Sequence, residues 1–159
     1  DSAGLAWEKT FVPWKFKDIA NTVGTDAKTI TVNFWDSQPD YQVVWNWDET
    51  SKSYKRKNGG TDHTDLNNKQ QLAPKDVVVQ FERESNANDG YPGNVHLLYG
   101  TTGTGKALFF QNGKVIEDKW SKLSRTARSK YTDSSGKEID FERGQIWIQT
   151  VPEGSKVTY

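Results

Sequence analysis

The dipeptide Asn112-Gly113 lies between two apolar runs, ALFFQ and KVIED. An Asn-Gly pair in this setting is a strong signal for a two-residue β-hairpin turn, because both residues readily adopt positive φ. The turn also predicts the register of the hairpin, in which residues 109–111 face residues 114–116 in antiparallel order. A hairpin at this point fixes two adjacent strands in the middle of the chain.

The predicted hairpin decides how the glycine-rich stretch YGTTGTGKALFF, residues 99–110, is interpreted. Gly100, Gly105 and Lys106 have the spacing of a phosphate-binding P-loop, which needs a helix directly after the lysine. The hairpin leaves no room for that helix, and Ala107 stands where Ser or Thr would hold Mg²⁺. We therefore expect a bent or bulged strand, not a nucleotide P-loop.

The rest of the chain is dominated by β-type patterns. The predicted strands are KTITVNFW (28–35), YQVVWNW (41–47), SYKRK (53–57), DVVVQFERE (76–84), VHLLYG (95–100) and GQIWIQTV (144–151). Turn residues predict hairpins at DETSK (48–52) and around Ser135-Gly136, and a loop over SNANDGYPGN (85–94). One helical turn fits within DIANTVGTD (18–26).

These patterns predict a mainly β fold, with antiparallel sheets built from hairpins, an irregular N-terminal arm and little helix (α+β at most). We expect residues 1–28 to be an arm or a remnant of an interdomain segment. Residues 29–159 then form one β-rich domain, a size that can bury a core.

Composition excludes several classes of protein. Lys and Arg number 21, as do Asp and Glu, and this balance argues against nucleic acid as a partner. The chain has no cysteine, which excludes disulfides and thiolate metal sites. It has no stretch typical of a membrane span. It also lacks methionine, so we expect it to begin after processing or inside a larger protein.

Four blocks of sequence together resemble the C-terminal domain of the YerB-like bacterial lipoproteins. They are YKRKNGGTDHTD (54–65), PKDVVVQ (74–80), GTGKALFFQNGKVIEDKW (103–120) and YTDSSGKEIDFERGQIWIQTVP (131–152). The resemblance covers roughly residues 30 to 152 in order. One position departs from the family pattern, because Asp118 stands where the family commonly has a glycine.

The resemblance implies a domain of unknown function, so it assigns no reaction and no catalytic residue. It implies an extracytoplasmic parent protein that is anchored to the membrane through a lipid. It also implies that the missing N-terminal domain of the same protein is a partner of this one.

The best-defined polar constellation is Arg56, Asp62, His63 and Asp65, which flank two glycines. A carboxylate beside a histidine suits general-base catalysis, with His63, Asp65 and Asp62 as candidates. The same three residues are weak candidates for a divalent metal, the one cofactor that the sequence suggests. Arg56, His63 and Asp65 are candidate ligand-binding residues. The alternative is a loop organised by Asx turns.

A basic stretch, KWSKLSRTARSK, spans residues 119–130 and contains no acid. It could bind an anionic envelope polymer through carboxylate or phosphate groups, or it could be a solvated loop. The candidate ligand-binding residues in it are Lys119, Trp120, Lys122, Arg125 and Arg128.

Three tryptophans, Trp35, Trp45 and Trp47, suggest a platform for sugar rings. Alternation along a strand places Trp45 and Trp47 on one face, which is also the pattern of a core strand.

Two functions follow from these observations. The first is a non-catalytic binding or interaction module of an envelope lipoprotein, with a cell-envelope polymer or a protein as its ligand. The alternative is a metal-dependent or His/Asp-based hydrolase that acts on envelope glycans. A domain that only supports the rest of its parent protein is hard to separate from the first.

Overall fold

The structure is a computed structural model that describes residues 11–18, 22–35, 37–90, 93 and 96–159. The strands are β1 (Phe16–Lys17), β2 (Thr25–Asp26), β3 (Thr29–Val32), β4 (Val43–Asp48), β5 (Ser53–Asn58), β6 (Thr61–Asp62), β7 (Asp76–Glu82), β8 (Glu84–Asn86), β9 (Leu97–Tyr99), β10 (Gly103–Gln111), β11 (Lys114–Lys122), β12 (Lys130–Thr132), β13 (Phe141–Glu142), β14 (Ile146–Pro152) and β15 (Val157–Thr158). Within the described ranges, the helical content is a 3-10 turn at Pro39–Tyr41. The mainly β prediction is confirmed.

Two large sheets share one apolar core. The six-stranded sheet has the order β12-β11-β10-β7-β14, with β2 also paired to β11, and the five-stranded sheet has the order β15-β3-β4-β5-β6. Alternate residues of each sheet face the other and bury their side chains between them. The shared core includes Ile30, Val32, Val43, Trp45, Tyr54, Val77, Val79, Phe81, Leu108, Phe110, Val115 and Val151.

The outer face of the six-stranded sheet is also covered. A second cluster on that face is formed by Val78, Ala107, Phe109, Trp120, Tyr131, Ile139 and Phe141. The N-terminal arm packs there, because β1 pairs with β13 and Trp14 lies against Phe141 with 4.8 Å between ring centres. Polar residues on this face are therefore buried as well as apolar ones.

Two strand pairs depart from the antiparallel pattern that the hairpins predict. β14 runs parallel to β7 over seven residue pairs, and β1 runs parallel to β13. Parallel neighbours need a long connection, so turn signals in the sequence do not reveal them.

The segment that follows β7 differs from its prediction. Ser85 and Asn86, which were predicted to begin the loop, instead belong with Glu84 to β8, which pairs with β9. His96 precedes β9, contacts Asp89 and is not part of an apolar strand. The predicted loop also includes residues 91, 92, 94 and 95, and the predicted helical turn includes residues 19–21; these positions lie outside the described residues.

The central hairpin has the predicted register. Gln111 pairs with Lys114, and Asn112 and Gly113 have φ of 51° and 72°, as a turn with two positive φ values requires. Residues 103–111 all belong to β10, so Lys106 lies inside a strand and no helix follows it. The hairpin around Ser135-Gly136 also closes, since Ile139 N donates to Tyr131 O at 2.9 Å.

Gly105 is required by packing. It lies opposite Trp120 in the hairpin, whose indole Nε1 donates to Phe81 O at 2.8 Å. A Cβ on Gly105 would lie 2.5 Å from that Nε1 and 2.9 Å from Phe81 O. The glycine that resembled part of a P-loop therefore makes room for a buried indole and its hydrogen bond.

We expect Gly105→Ala to lower the free energy of unfolding by about 3 kcal/mol, because the methyl group overpacks the site and displaces the Trp120 hydrogen bond. Urea unfolding followed by tryptophan fluorescence measures this change. Gly100→Ala is the matched control, because its Cβ would meet Arg83 O at an ordinary 3.6 Å. Equal stability of the two variants would contradict this account of Gly105.

Candidate anion-binding site

Arg56 lies in the middle of β5, on the face that looks toward the core. Alternation along the strand gives it the same face as Tyr54 and places Lys55 and Lys57 on the other. Arg56 is only 5% exposed. The hairpin between β4 and β5 sets it directly opposite Trp45.

Two tryptophan rings hold the guanidinium group of Arg56. Its central carbon lies 4.4 Å from the ring centre of Trp147 and 5.5 Å from that of Trp45. Trp45 comes from the five-stranded sheet and Trp147 from β14, the edge strand of the other sheet. These cation–π contacts offset part of the cost of burying the charge and fix the orientation of its plane.

His63 and Asn58 provide the polar neighbours of this charge. One terminal nitrogen of Arg56 contacts Nδ1 of His63, and the other donates to Oδ1 of Asn58 at 3.4 Å. Burial, and then the nearby Arg56 charge, lower the pKa of His63. A neutral His63 accepts at Nδ1 and keeps its proton on Nε2.

Arg56 is a buried cation without a counter-ion in the part of the chain that the structure describes. None of the ion pairs there includes Arg56, and its Nε is buried without a hydrogen-bond partner. Burial lowers the pKa of Arg56, yet a guanidinium remains charged in proteins. A buried charge normally has a partner, so this group is chemically prepared to receive an anion.

The site reaches the surface through its partly buried members. His63 and Trp147 are both half-buried, and their rings meet edge to face with 6.2 Å between centres. The site lies at the side of the core where β14 is the last strand of its sheet. This edge, at His63 and Trp147, is where the site meets the surface.

The predicted partners of His63 lie elsewhere. Asp62 forms an exposed ion pair with Lys57 at 3.6 Å. Asp65 accepts hydrogen bonds from the backbone N–H groups of Asn67 and Asn68 at 2.8 and 3.1 Å, which is an Asx-type turn. The structure thus brings His63 to Arg56 but gives it no carboxylate partner from Asp62 or Asp65.

The predicted metal site also lacks a set of ligands that lie close together. Across the described ranges, no group of three His, Asp or Glu side chains lies close enough to hold a metal ion. The weak candidates Asp62, His63 and Asp65 follow one another in sequence, but their side chains do not converge.

The basic stretch does not form a single binding surface. Trp120 is 2% exposed and packs in the outer cluster, so we correct its prediction as a ligand-binding residue. Arg128 makes two contacts with the carboxylate of Glu138 and lowers the pKa of that group. Lys119 and Lys122 lie on opposite faces of β11 because strand side chains alternate. Arg125 lies exposed in the following loop.

The three tryptophans of the suggested sugar platform are also separated. Trp45 is fully buried. Trp47 is half-buried against Tyr54, with 4.9 Å between ring centres. Trp35 is 54% exposed and packs on Tyr41. The core interpretation holds for Trp45, and the platform does not form.

Sequence reasoning missed Trp147 as a neighbour of Arg56. The two residues are far apart along the chain, and they meet only because β14 runs parallel to β7 at the sandwich edge. The sequence brings Trp45 only near Arg56, because the predicted turn at residues 48–52 would pair Trp45 with Lys55. The turn in the structure covers residues 49–52, and this shorter turn pairs Trp45 with Arg56.

Comparison with known proteins places the chain in a family. Residues 30–148 match the family described as "Protein of unknown function (DUF3048) C-terminal domain". The chain belongs to this family. Membership of the DUF3048 C-terminal family confirms the resemblance seen in the sequence, and the family description states no activity.

Two similarities extend this result. The chain is 27% identical over 130 residues to the protein named "Putative lipoprotein YerB" from Bacillus subtilis (strain 168). It also resembles the crystal structure of the YerB protein from Bacillus subtilis, with a TM-score of 0.74 and 21% identity over 92% of the chain, which shows a shared fold.

The DUF3048 relatives are longer than this chain. The chain spans 37% of the length of the curated relative and 47% of the solved YerB chain. Among the described residues, no helix is long and apolar enough to cross a membrane.

Proposed function

We propose that this chain is a non-catalytic binding module of an extracytoplasmic lipoprotein, and that it holds an anionic group of its ligand at Arg56. The observation that carries this proposal is the buried guanidinium of Arg56, which is held by Trp45 and Trp147 without a carboxylate partner in the described chain. The name of the curated relative, a lipoprotein, supports the envelope setting.

The chemistry of the site favours a carboxylate or a phosphate. A guanidinium binds these groups with two parallel hydrogen bonds, and Nε of Arg56 still has a hydrogen to donate. The proton on Nε2 of neutral His63 adds a second type of donor. Envelope polymers carry both anions, as peptide carboxylates of peptidoglycan or as phosphates of teichoic acid.

Isothermal titration calorimetry with soluble peptidoglycan fragments and with teichoic acid tests this proposal. We expect binding by the unaltered chain to one of these probes. Arg56→Gln should weaken it at least about tenfold, since a hydrogen bond to a charged group contributes about 1.5–3 kcal/mol. Arg56→Lys should recover only part of the affinity, because lysine keeps the charge but loses the planar fork.

Lys57→Gln is the matched control, because Lys57 is the next residue of β5, points to the other face and is about half exposed. Its affinity should match that of the unaltered chain. Circular dichroism confirms that each variant is folded. The proposal is wrong if neither probe binds, or if a folded Arg56→Gln variant binds as tightly as the Lys57→Gln control.

A further inference from the structure

An open groove lies between the N-terminal arm and the loop that follows β11. Its walls include Phe11, Val12 and Phe16 from the arm and Leu123 from the loop, and its volume is about 880 Å³. We call it the arm groove. It lies apart from Arg56, which does not line it.

The arm groove is a fixed part of the fold. Trp14 Nε1 donates to Ser129 O at 2.8 Å and so ties the arm to the loop. Phe141 N donates to Lys15 O at 3.0 Å and ties the arm to β13. The two walls are therefore held in position before any partner binds.

The walls expose large apolar side chains. The exposed fraction is 69% for Phe11 and for Val12, 44% for Phe16 and 89% for Leu123. Isolated exposed apolar residues are common, but a contiguous set around a groove is typical of an interaction surface.

The charge around the arm groove is positive. Among the described residues, Arg128 and Lys130 line it, and no Asp or Glu does. Lys122 and Arg125 stand on either side of Leu123, within a basic stretch that contains no acid. Glu138, outside the lining, neutralises Arg128. Lys130 also lies near Glu138, while Lys122 and Arg125 flank Leu123 in sequence without lining the groove. The excess of cations is local, because the whole chain has no net charge.

We infer that the arm groove docks on the anionic surface of a phospholipid bilayer. Apolar side chains that enter the interface, with cations beside them at the level of the lipid phosphates, are the two contributions that bind peripheral proteins to membranes. Leu123 enters the acyl boundary first, because it is the most exposed apolar residue of the groove. Lys122, Arg125 and Lys130 then contact lipid phosphates.

This inference rests on the proposed function only for its envelope setting. On an envelope lipoprotein, a basic apolar surface adds a contribution from the protein itself to membrane binding. The test uses vesicles and the test of Arg56 uses polymer probes, so either proposal can fail without the other.

Co-sedimentation with vesicles tests the inference. We expect the chain to bind vesicles of equal parts phosphatidylglycerol and phosphatidylcholine, and to bind pure phosphatidylcholine at least about tenfold more weakly. Leu123→Asp should reduce binding to the anionic vesicles at least about tenfold, because it removes the apolar contact and adds a repelled charge. Arg125→Gln should reduce it less, and salt of about 0.5 M should remove most of the difference between the two lipids.

Leu66→Asp is the matched control, since Leu66 is 81% exposed and does not line the arm groove. Its vesicle binding should equal that of the unaltered chain. The inference is overturned if the unaltered chain stays in the supernatant with anionic vesicles, or if Leu123→Asp and Leu66→Asp bind equally. Self-association that Leu123→Asp abolishes, without vesicle binding, would assign the groove to a second copy of the chain instead.

Discussion

Replacing Asp118 by asparagine is expected to stabilise the fold, by roughly 3–5 kcal/mol at pH 9 and by less than about 1 kcal/mol at pH 4. Asp118 is 6% exposed and faces the outer cluster, and neither of its carboxylate oxygens has a hydrogen-bond partner within the described chain. Burial raises the pKa of Asp118 to about 8. Above that pH the fold must hold a buried charge that has no hydrogen-bond partner in the described chain.

The sign of the pH dependence follows from the two states of the chain. The unfolded chain releases the Asp118 proton near pH 4, whereas the folded chain keeps it up to about pH 8. Over this window the folded state binds more protons, so the free energy of unfolding falls as pH rises. The stability that protonated Asp118 contributes is complete below about pH 4 and is lost as pH rises through about 8.

Urea unfolding at pH 4, 6, 8 and 9 measures this effect. The unaltered chain should lose stability across the series, and Asp118→Asn should lose less. Some pH dependence should remain, because burial also raises the pKa of Asp76 to about 7. Asp133→Asn is the control, since Asp133 is only half-buried and its hydrogen bond with Ser135 lowers its pKa. A parallel pH profile for Asp118→Asn and the unaltered chain would show that Asp118 does not carry the dependence.

Phe141→Ala is expected to lower the free energy of unfolding by about 3–5 kcal/mol, the range for removing a large buried aromatic side chain. Phe141 is fully buried, and its ring centre lies 4.8 Å from that of Trp14, 5.0 Å from Phe109 and 6.0 Å from Tyr131. The variant leaves a cavity at the point where the arm, the six-stranded sheet and β13 meet.

The same substitution should release the arm before the rest of the fold. We expect faster trypsin cleavage at Lys15 and Lys17, since the parallel pairing of β1 with β13 depends on this contact. Phe11→Ala is the matched control, because Phe11 is 69% exposed and its loss should change stability by less than about 0.5 kcal/mol. If Phe141→Ala left the free energy of unfolding unchanged, the outer cluster would not contribute to the stability of the fold.

The outer cluster also explains why Asp118 is unusual. The resemblance to the family indicates a glycine at this position, which has no side chain to bury. Here the carboxylate points to the same face of β11 as Trp120, under the aromatic cover of the sheet. Asp118 in place of the family's glycine therefore lowers the stability of the fold at high pH, because the outer cluster buries its carboxylate.

Local features of the sequence determined much of the fold. Asn112-Gly113 fixed the register of the central hairpin, because a two-residue turn leaves one pairing for the strands that flank it. The same turn ruled out a helix after Lys106, and therefore a P-loop. Four matching blocks were enough to indicate the family.

Only the tertiary structure showed which residues form the candidate site and which are buried in the core. Alternation shows which side chains share a face, but it does not show whether that face is covered, and both faces of the six-stranded sheet are. The sequence suggests Trp120 as a ligand-binding residue, whereas the structure places it in the outer cluster. Arg56 contacts Trp147 because β14 pairs in parallel with β7, and these two strands are distant along the chain. Turn chemistry acts between neighbours in sequence, whereas burial and charge pairing depend on residues that only the folded chain brings together.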